Sequence, residues 1–363
     1  MLTFVHNALF LDPQEGGIAV PREETMNMKM SIAALALGVM TVGLASPSDA
    51  GTATKRIAFS VNYAGNTFRQ QMIKAFQNVA DKATSDGIIK GANVFVTSEN
   101  SVTEQAAQVR SLVLQGYDAI VITAASGDAL NGAVKEACDA GIFVVTFDGL
   151  VSEPCAYKIE VDYHSLGLQQ GQFFKQRLPD GGNLLQVRGI AGIPAEQQIS
   201  DGHFDGLKDT KFKVAGTVYG QWTQTVARKE VAAILPTLPQ IAGVLTEGGD
   251  GFGTAQAFAD AGRAVPVIFL GNRFEELKWW KEQRDANGYK TRSAASNPAS
   301  STLAFWVAQQ LLDGVKVPNH LPDNLVTVGP DELDSALANL KSGEVVSKSY
   351  TQDDTINLIK ASQ

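Results

Sequence analysis

The chain has 363 residues, enough for two domains that each bury a core of their own. Hydrophobic residues make up 44% and charged residues 19%, the balance of an ordinary globular protein. A formal net charge of -8, with no basic stripe to neutralise phosphates, argues against a nucleic-acid partner.

Residues 1–25 contain Asp12, Glu15, Glu23 and Glu24, whereas an export leader begins with positive charge. They read as a mis-annotated extension, with translation starting at Met26, Met28 or Met30. Residues 26–50 read as a signal peptide. One lysine precedes an apolar run from Ile32 to Ala45, and Ser48-Asp49-Ala50 forms a small-x-small cleavage site. The run is short for a bilayer span. The expected mature chain therefore starts near Gly51 and is periplasmic.

From residue 56 short β-branched and aromatic runs alternate with helical stretches. Strands are predicted at Arg56–Val61, Ala92–Val96, Tyr117–Thr123, Ile142–Phe147 and Tyr157–Val161. Between them, apolar residues recur three or four apart, as in Met72, Phe76, Val79 and Ala80, or Val109, Leu112 and Val113. That pattern specifies βαβ units and a parallel sheet. It then repeats, with strands at Asn183–Val187, Val214–Val218, Gly243–Thr246 and Val265–Leu270. Helices are expected near 164–178, 196–208, 225–236, 252–261 and 275–285. So many strands exceed one doubly wound sheet, which predicts two α/β lobes with a seam at Glu160–His164.

In open α/β sheets ligands bind beyond the carboxyl ends of the strands. Those ends carry Asn62 to Arg69, Asp148-Gly149, Arg188 to Gly192, Gln221-Trp222, Glu247-Gly248-Gly249-Asp250 and Asn272-Arg273. Carboxylates and amides match pairs of hydroxyls, while aromatic faces cover the C–H side of a ring. Asp, Asn and Gly are also ordinary turn and cap residues. The set, and no single position, points to a pocket for a polyhydroxylated molecule.

Catalytic alternatives find little support. Gly249, Gly251 and Gly253 do not make G-x-G-x-x-G, and there is no G-x-x-x-x-G-K-[ST]. Among His6, His164, His203 and His320, none stands in a hydrolase or zinc-protease motif. No catalytic residue, metal or cofactor is expected. Leu277-Lys278-Trp279-Trp280 reads as core packing or lobe surface. In an oxidising compartment Cys138 and Cys155 are expected to pair. The chain leaves a helix at Cys138, rises through a strand, turns at Asp148-Gly149 and must return before the next parallel strand.

The segments IAFSVNYAGNTF (57–68), GYDAIVITAASGDALNGAVKEACDAGIFVVTFDG (116–149), LLQVRGIAGIPA (184–195) and NPASS (297–301) resemble the type I periplasmic sugar-binding proteins of the ribose-binding kind. The resemblance spans about residues 54–355. It implies two doubly wound parallel-sheet lobes joined by three hinge crossings, near Asp162, Ser293–Ser296 and Leu321–Leu325. The first lobe would comprise residues 54–161 and 296–321, and the second 163–293 and 325–355. The implied ligand-binding positions are Asn62, Asn66, Phe68, Arg69, Asp148, Ile199, Trp222, Gly248, Asn272 or Arg273, and Ser296. Ile199 stands where ribose binders carry arginine. Gly248 stands where they carry asparagine, with Asp250 near enough to substitute. An isoleucine at 199 favours a ligand with a less polar edge, unless Gln197 or Gln198 reaches in.

The implied function is capture of a monosaccharide or polyol for the membrane permease of an ATP-binding-cassette importer, by a monomer without cofactors. Three alternatives stand beside it. A sensor feeding a chemoreceptor or sensor kinase would use the same fold. A sugar-responsive repressor would need a DNA-binding helix-turn-helix where this chain has a leader. A Rossmann-type enzyme would need the missing phosphate fingerprint.

Overall fold

In the computed structural model, which describes residues 51–363, strand and helix alternate from Arg56 as the sequence pattern predicts. The expected leader and the segment before it lie outside the described residues. The first run comprises β1 (Arg56–Val61), α1 (Thr67–Ser85), β2 (Gly91–Val96), α2 (Val102–Leu114), β3 (Ala119–Thr123), α3 (Asn131–Asp139), β4 (Phe143–Phe147) and β5 (Tyr157–Val161). β1 and β3 are buried almost throughout, as parallel strands covered on both faces must be. Helix starts follow the capping rule: the Asn66 side chain accepts from the Arg69 amide, and the Ser101 side chain from the Glu104 amide.

The second run comprises α4 (Tyr163–Arg177), β6 (Gly182–Arg188), α5 (Pro194–Leu207), β7 (Phe212–Tyr219), α6 (Gln224–Ile234), β8 (Gly243–Thr246), α7 (Gly251–Asp260), β9 (Val267–Ile268) and α8 (Phe274–Asn287). β9 is shorter than the expected strand at 265–270. Pro266 has no N–H for the ladder, and beyond Ile268 the chain bridges from Leu270 to Ser293. The last segment comprises β10 (Ser293–Ala295), α9 (Ser300–Leu312), β11 (His320–Asp323), β12 (Val326–Val328), α10 (Leu333–Ala338) and α11 (Gln352–Ala361).

One sheet has the order β11-β5-β4-β3-β1-β2 and the other β7-β6-β8-β9, each parallel throughout. The first is a doubly wound 2-1-3-4-5 sheet with β11 added at its edge. Phe59, Phe76, Phe147 and Phe305 fill one face of it, and Leu112, Ile120, Val134 and Val144 the other. Leu185, Val187, Phe258 and Trp280 fill one face of the second sheet, and Leu166, Phe174, Leu184 and Phe269 the other. Leu277 and Trp280 are therefore core residues, while Trp279 packs on Tyr289.

α4 and α5 meet backbone to backbone. Gly167 and Gly171 on α4 face Gly202 and Gly206 on α5, and a Cβ on Gly202 would stand 2.1 Å from the His164 carbonyl oxygen.

The chain leaves the first sheet after β5, with Asp162 capping α4, and returns between β10 and α9. It leaves again between β11 and β12; β12 pairs antiparallel with β10. It then comes back once more. Tyr350, Leu358 and Ile359 pack into the first-lobe core, and the Tyr350 hydroxyl donates to Asp323 at 2.9 Å. The second lobe thus ends before Tyr350, not at residue 355, because the apolar face of α11 is buried on the first lobe and not on α10. Cys138 and Cys155, 17 positions apart, form a disulfide with a Cα–Cα distance of 6.4 Å. It closes the base of the β4 loop.

Candidate functional site

The carboxyl ends of both sheets face a cleft of about 1050 Å³ between the lobes. Its first-lobe wall is built around an ion pair. Arg69, in the first turn of α1, places Nη1 2.5 Å from Asp148 Oδ2, and both side chains are largely buried. Asp148 follows β4 with φ of 59°, a left-handed conformation that non-glycine residues rarely hold. Its other oxygen accepts from the Tyr163 hydroxyl at 2.9 Å. Burial, together with the Asp148 carboxylate, pushes the Tyr163 phenol well above its ordinary value, so it remains a donor. The rings of Tyr63 and Phe68 lie 5.1 and 5.7 Å from the Arg69 guanidinium carbon. Arg69 Nε has no partner.

Asn62 and Asn66 are also on this wall. The Asn62 amide donates to Asn100 Oδ1 at 2.7 Å and accepts from the Thr123 hydroxyl at 3.1 Å. Asn66 accepts from the Arg69 amide at 2.8 Å and donates to the Tyr63 hydroxyl at 3.1 Å. Both amides therefore fix the loop that presents Arg69.

The second-lobe wall carries Ile199, Trp222, Glu247, Gly248, Asn272 and Arg273. Trp222 follows Gln221, both with positive φ (52° and 55°). Its indole lies so close to Gly189 that a Cβ there would stand 2.2 Å from the ring. Gly249, with φ of 79°, leaves matching space for the Arg273 guanidinium. Arg273 donates to the Trp222 carbonyl at 3.1 Å and to the Thr67 hydroxyl of the opposite lobe. The Asn272 amide is engaged at both ends, donating to the Val326 carbonyl and accepting from Ser293, each at 2.6 Å. It ties the crossings together, leaving Arg273 to face the cleft.

Asn62, Asn66, Phe68, Arg69, Asp148, Ile199, Trp222, Gly248, Asn272, Arg273 and Ser296 all lie on the cleft wall. Asp250 does not. It is fully buried behind that wall against Gly220, and neither carboxyl oxygen is hydrogen-bonded. Burial and the neighbouring Glu276 hold its carboxyl well above the usual range. The turn at Gly248-Gly249 explains the placement: both have positive φ, and the chain doubles back before Asp250. Glu247, one residue after β8, takes the position on the wall. Gln198 also lines the cleft, whereas Gln197 is held by Asp201 at 2.7 Å. Tyr163 was not singled out from sequence, although it lies inside the predicted seam.

Of the histidines in the described residues, His164 pairs with Asp205, and His320 with Glu160, at the surface. His203 is buried in α5 beside Gln186. Among the described residues no cluster of His, Cys, Asp or Glu is arranged to hold a metal ion. No described helix is long and apolar enough to cross a membrane.

Comparison with known proteins places these features in context. A model of the periplasmic binding protein domain matches residues 57–316. The xylitol-binding protein of Mycolicibacterium smegmatis is 29% identical over 253 residues, covering 67% of this chain and 70% of that protein. The ribose import binding protein RbsB of Bacillus subtilis is 26% identical over 280 residues, covering 75% and 87%. Among solved structures, an ABC transporter solute binding protein from Thermobispora bispora superposes with a TM-score of 0.79. It is 32% identical and covers 85% of this chain and 95% of that one.

Proposed function

The chain belongs to the periplasmic binding protein domain family, and we propose that it captures a monosaccharide or polyol between its lobes for the permease of an ATP-binding-cassette importer. On this reading it works as a periplasmic monomer after cleavage near Ala50, and it binds its ligand without transforming it. The observation that carries the reading is the cleft itself. The Arg69–Asp148 pair on one wall offers donors and acceptors to adjacent hydroxyls, and Trp222 on the other offers an indole face. Charge-assisted hydrogen bonds to such a pair are worth ~1.5–3 kcal/mol each. The relatives named for xylitol and ribose support the same ligand class.

A ligand touching both walls favours the closed arrangement of the lobes by its differential affinity, and the closed form is what a permease would read. Ile199 supplies no hydrogen bond, so a less polar ligand edge fits there, with Gln198 as the adjacent donor.

The test is a thermal-shift screen of the mature protein against monosaccharides and polyols. A true ligand at about 100 times its Kd stabilises by ~2.7 kcal/mol. Trp222→Ala should weaken that ligand at least about tenfold by calorimetry, the loss expected for a desolvated aromatic anchor. A screen in which no sugar or polyol raises the melting temperature would overturn the proposal.

A further inference from the structure

Glu247 is 5% exposed, yet it forms part of the cleft wall. Its Oε2 accepts the Gly189 amide at 2.7 Å, and its Oε1 has no partner at all. The charged groups around it come from four segments. Arg188 on β6 is ion-paired with Glu196 on α5. Arg273, before α8, is spent on Thr67 and the Trp222 carbonyl. Asp250, before α7, is a further carboxyl. Neither cation pairs with Glu247.

An ionised carboxylate in such a place would be buried without a counter-ion, which is among the costliest arrangements a fold can hold. The neutral acid has no such penalty. Its carbonyl oxygen accepts from Gly189, and its remaining oxygen carries a proton with nothing in the protein to receive it.

We infer that Glu247 is a specificity-determining residue of the cleft, whose Oε1–H donates a hydrogen bond to an oxygen of an uncharged hydroxylated ligand. The inference rests on the sugar or polyol reading above and adds the second-lobe group that meets the ligand. Burial pushes the Glu247 carboxyl up to about 9, with the Gly189 amide opposing and Glu196 adding to the rise. The donor form therefore dominates at neutral pH. An ammonium group has no lone pair to accept that hydrogen bond, so the neutral acid favours neutral polyols over amino sugars.

The experiment compares the unaltered protein with Glu247→Leu and Glu247→Gln, using xylitol, D-ribose, D-allose and D-xylose as probes. For whichever probe binds, Glu247→Leu should lose at least about tenfold in affinity, and Glu247→Gln, which restores a donor, should recover most of that loss. Between pH 8 and 10 the unaltered protein should lose about tenfold as the acid ionises, and Glu247→Gln should show no such loss. Leu and Gln variants that lose equally, or no difference between the pH profiles of parent and Gln variant, would overturn the inference. Difference infrared spectroscopy of parent minus Glu247→Gln, without ligand at pH 7, should show the carbonyl stretch of a protonated acid. An ionised carboxylate there overturns the inference whatever the probes do. A panel with no binder counts against the sugar reading, and the infrared result still decides the state of Glu247.

Discussion

Replacing Asp148 by alanine should destabilise the ligand-free protein, because it strands a buried cation. The Arg69 and Asp148 side chains are only 9% and 16% exposed. Removing one partner of a buried pair costs ~3–5 kcal/mol. Loss of the acceptor for the Tyr163 hydroxyl adds ~1 kcal/mol, and alanine at φ of 59° adds roughly another. Cleft water relieves part of this at Arg69, leaving a net cost of about 3–4 kcal/mol. At roughly 2–4 °C per kcal/mol, that is a fall of about 10 °C in Tm. The charge argument makes a sharper demand of the double variant. Arg69→Met with Asp148→Ala removes both charges, so it should be more stable than Asp148→Ala alone by at least ~1.5 kcal/mol. Urea unfolding followed by tryptophan fluorescence measures both. If the single variant lies within about 1 kcal/mol of the parent, or the double variant is no more stable than Asp148→Ala, the buried-charge account of the pair fails.

Two further outcomes follow from chemistry away from the cleft. Replacing both Cys138 and Cys155 by serine should cost about 3 kcal/mol for a closed loop of 17 residues; a loss under about 0.5 kcal/mol by urea unfolding would refute the loop-closure argument. Burial, with nearby Arg188, depresses His203 from 6.5 to about 3. The unfolded chain therefore takes up a proton that the folded one refuses. Stability should fall as pH drops from 6.5 towards 3, by up to ~1.4 kcal/mol per pH unit from this group. His203→Gln should flatten that slope, and equal slopes for parent and variant would contradict the assignment.

The architecture was legible where the physics is local. β1, β3 and β4 are covered on both faces, and that requirement writes itself into the sequence as unbroken apolar runs. The short strands β10 and β12 carry too few residues to show a period. The return of α11 was invisible for another reason: an amphipathic helix announces that it has an apolar face, not which lobe will cover it. The same division runs through the site. Loops beyond strand ends could be named because parallel sheets put their ligands there. Within the Glu247–Asp250 loop, resemblance favoured Gly248 and Asp250. The positive φ at Gly248 and Gly249 turned the chain so that Glu247 reached the wall and Asp250 went behind it. Tyr163 gained its role only through its contact with Asp148 across the lobes, which no local pattern encodes.

The return of the chain to the first sheet also sets an order of completion. β1 to β5 are synthesised first, yet the core on one of their faces is filled by Leu303, Phe305, Trp306 and Ile359. The edge of that sheet beyond β5 is covered by β11. A nascent chain of 290 residues thus lacks only Val328 and Leu333 among the buried residues on one face of the second core, while one face of the first sheet is covered by α1 alone. The second lobe's contacts are largely made between neighbouring elements, so it can fold early, whereas the first must wait for partners more than 200 positions away, as in the Ser301 hydroxyl donating to the Met72 carbonyl across 229 positions. Such distant closure slows folding and prolongs exposure of apolar surface. The lobe nearest the start of the polypeptide is the last to be made whole.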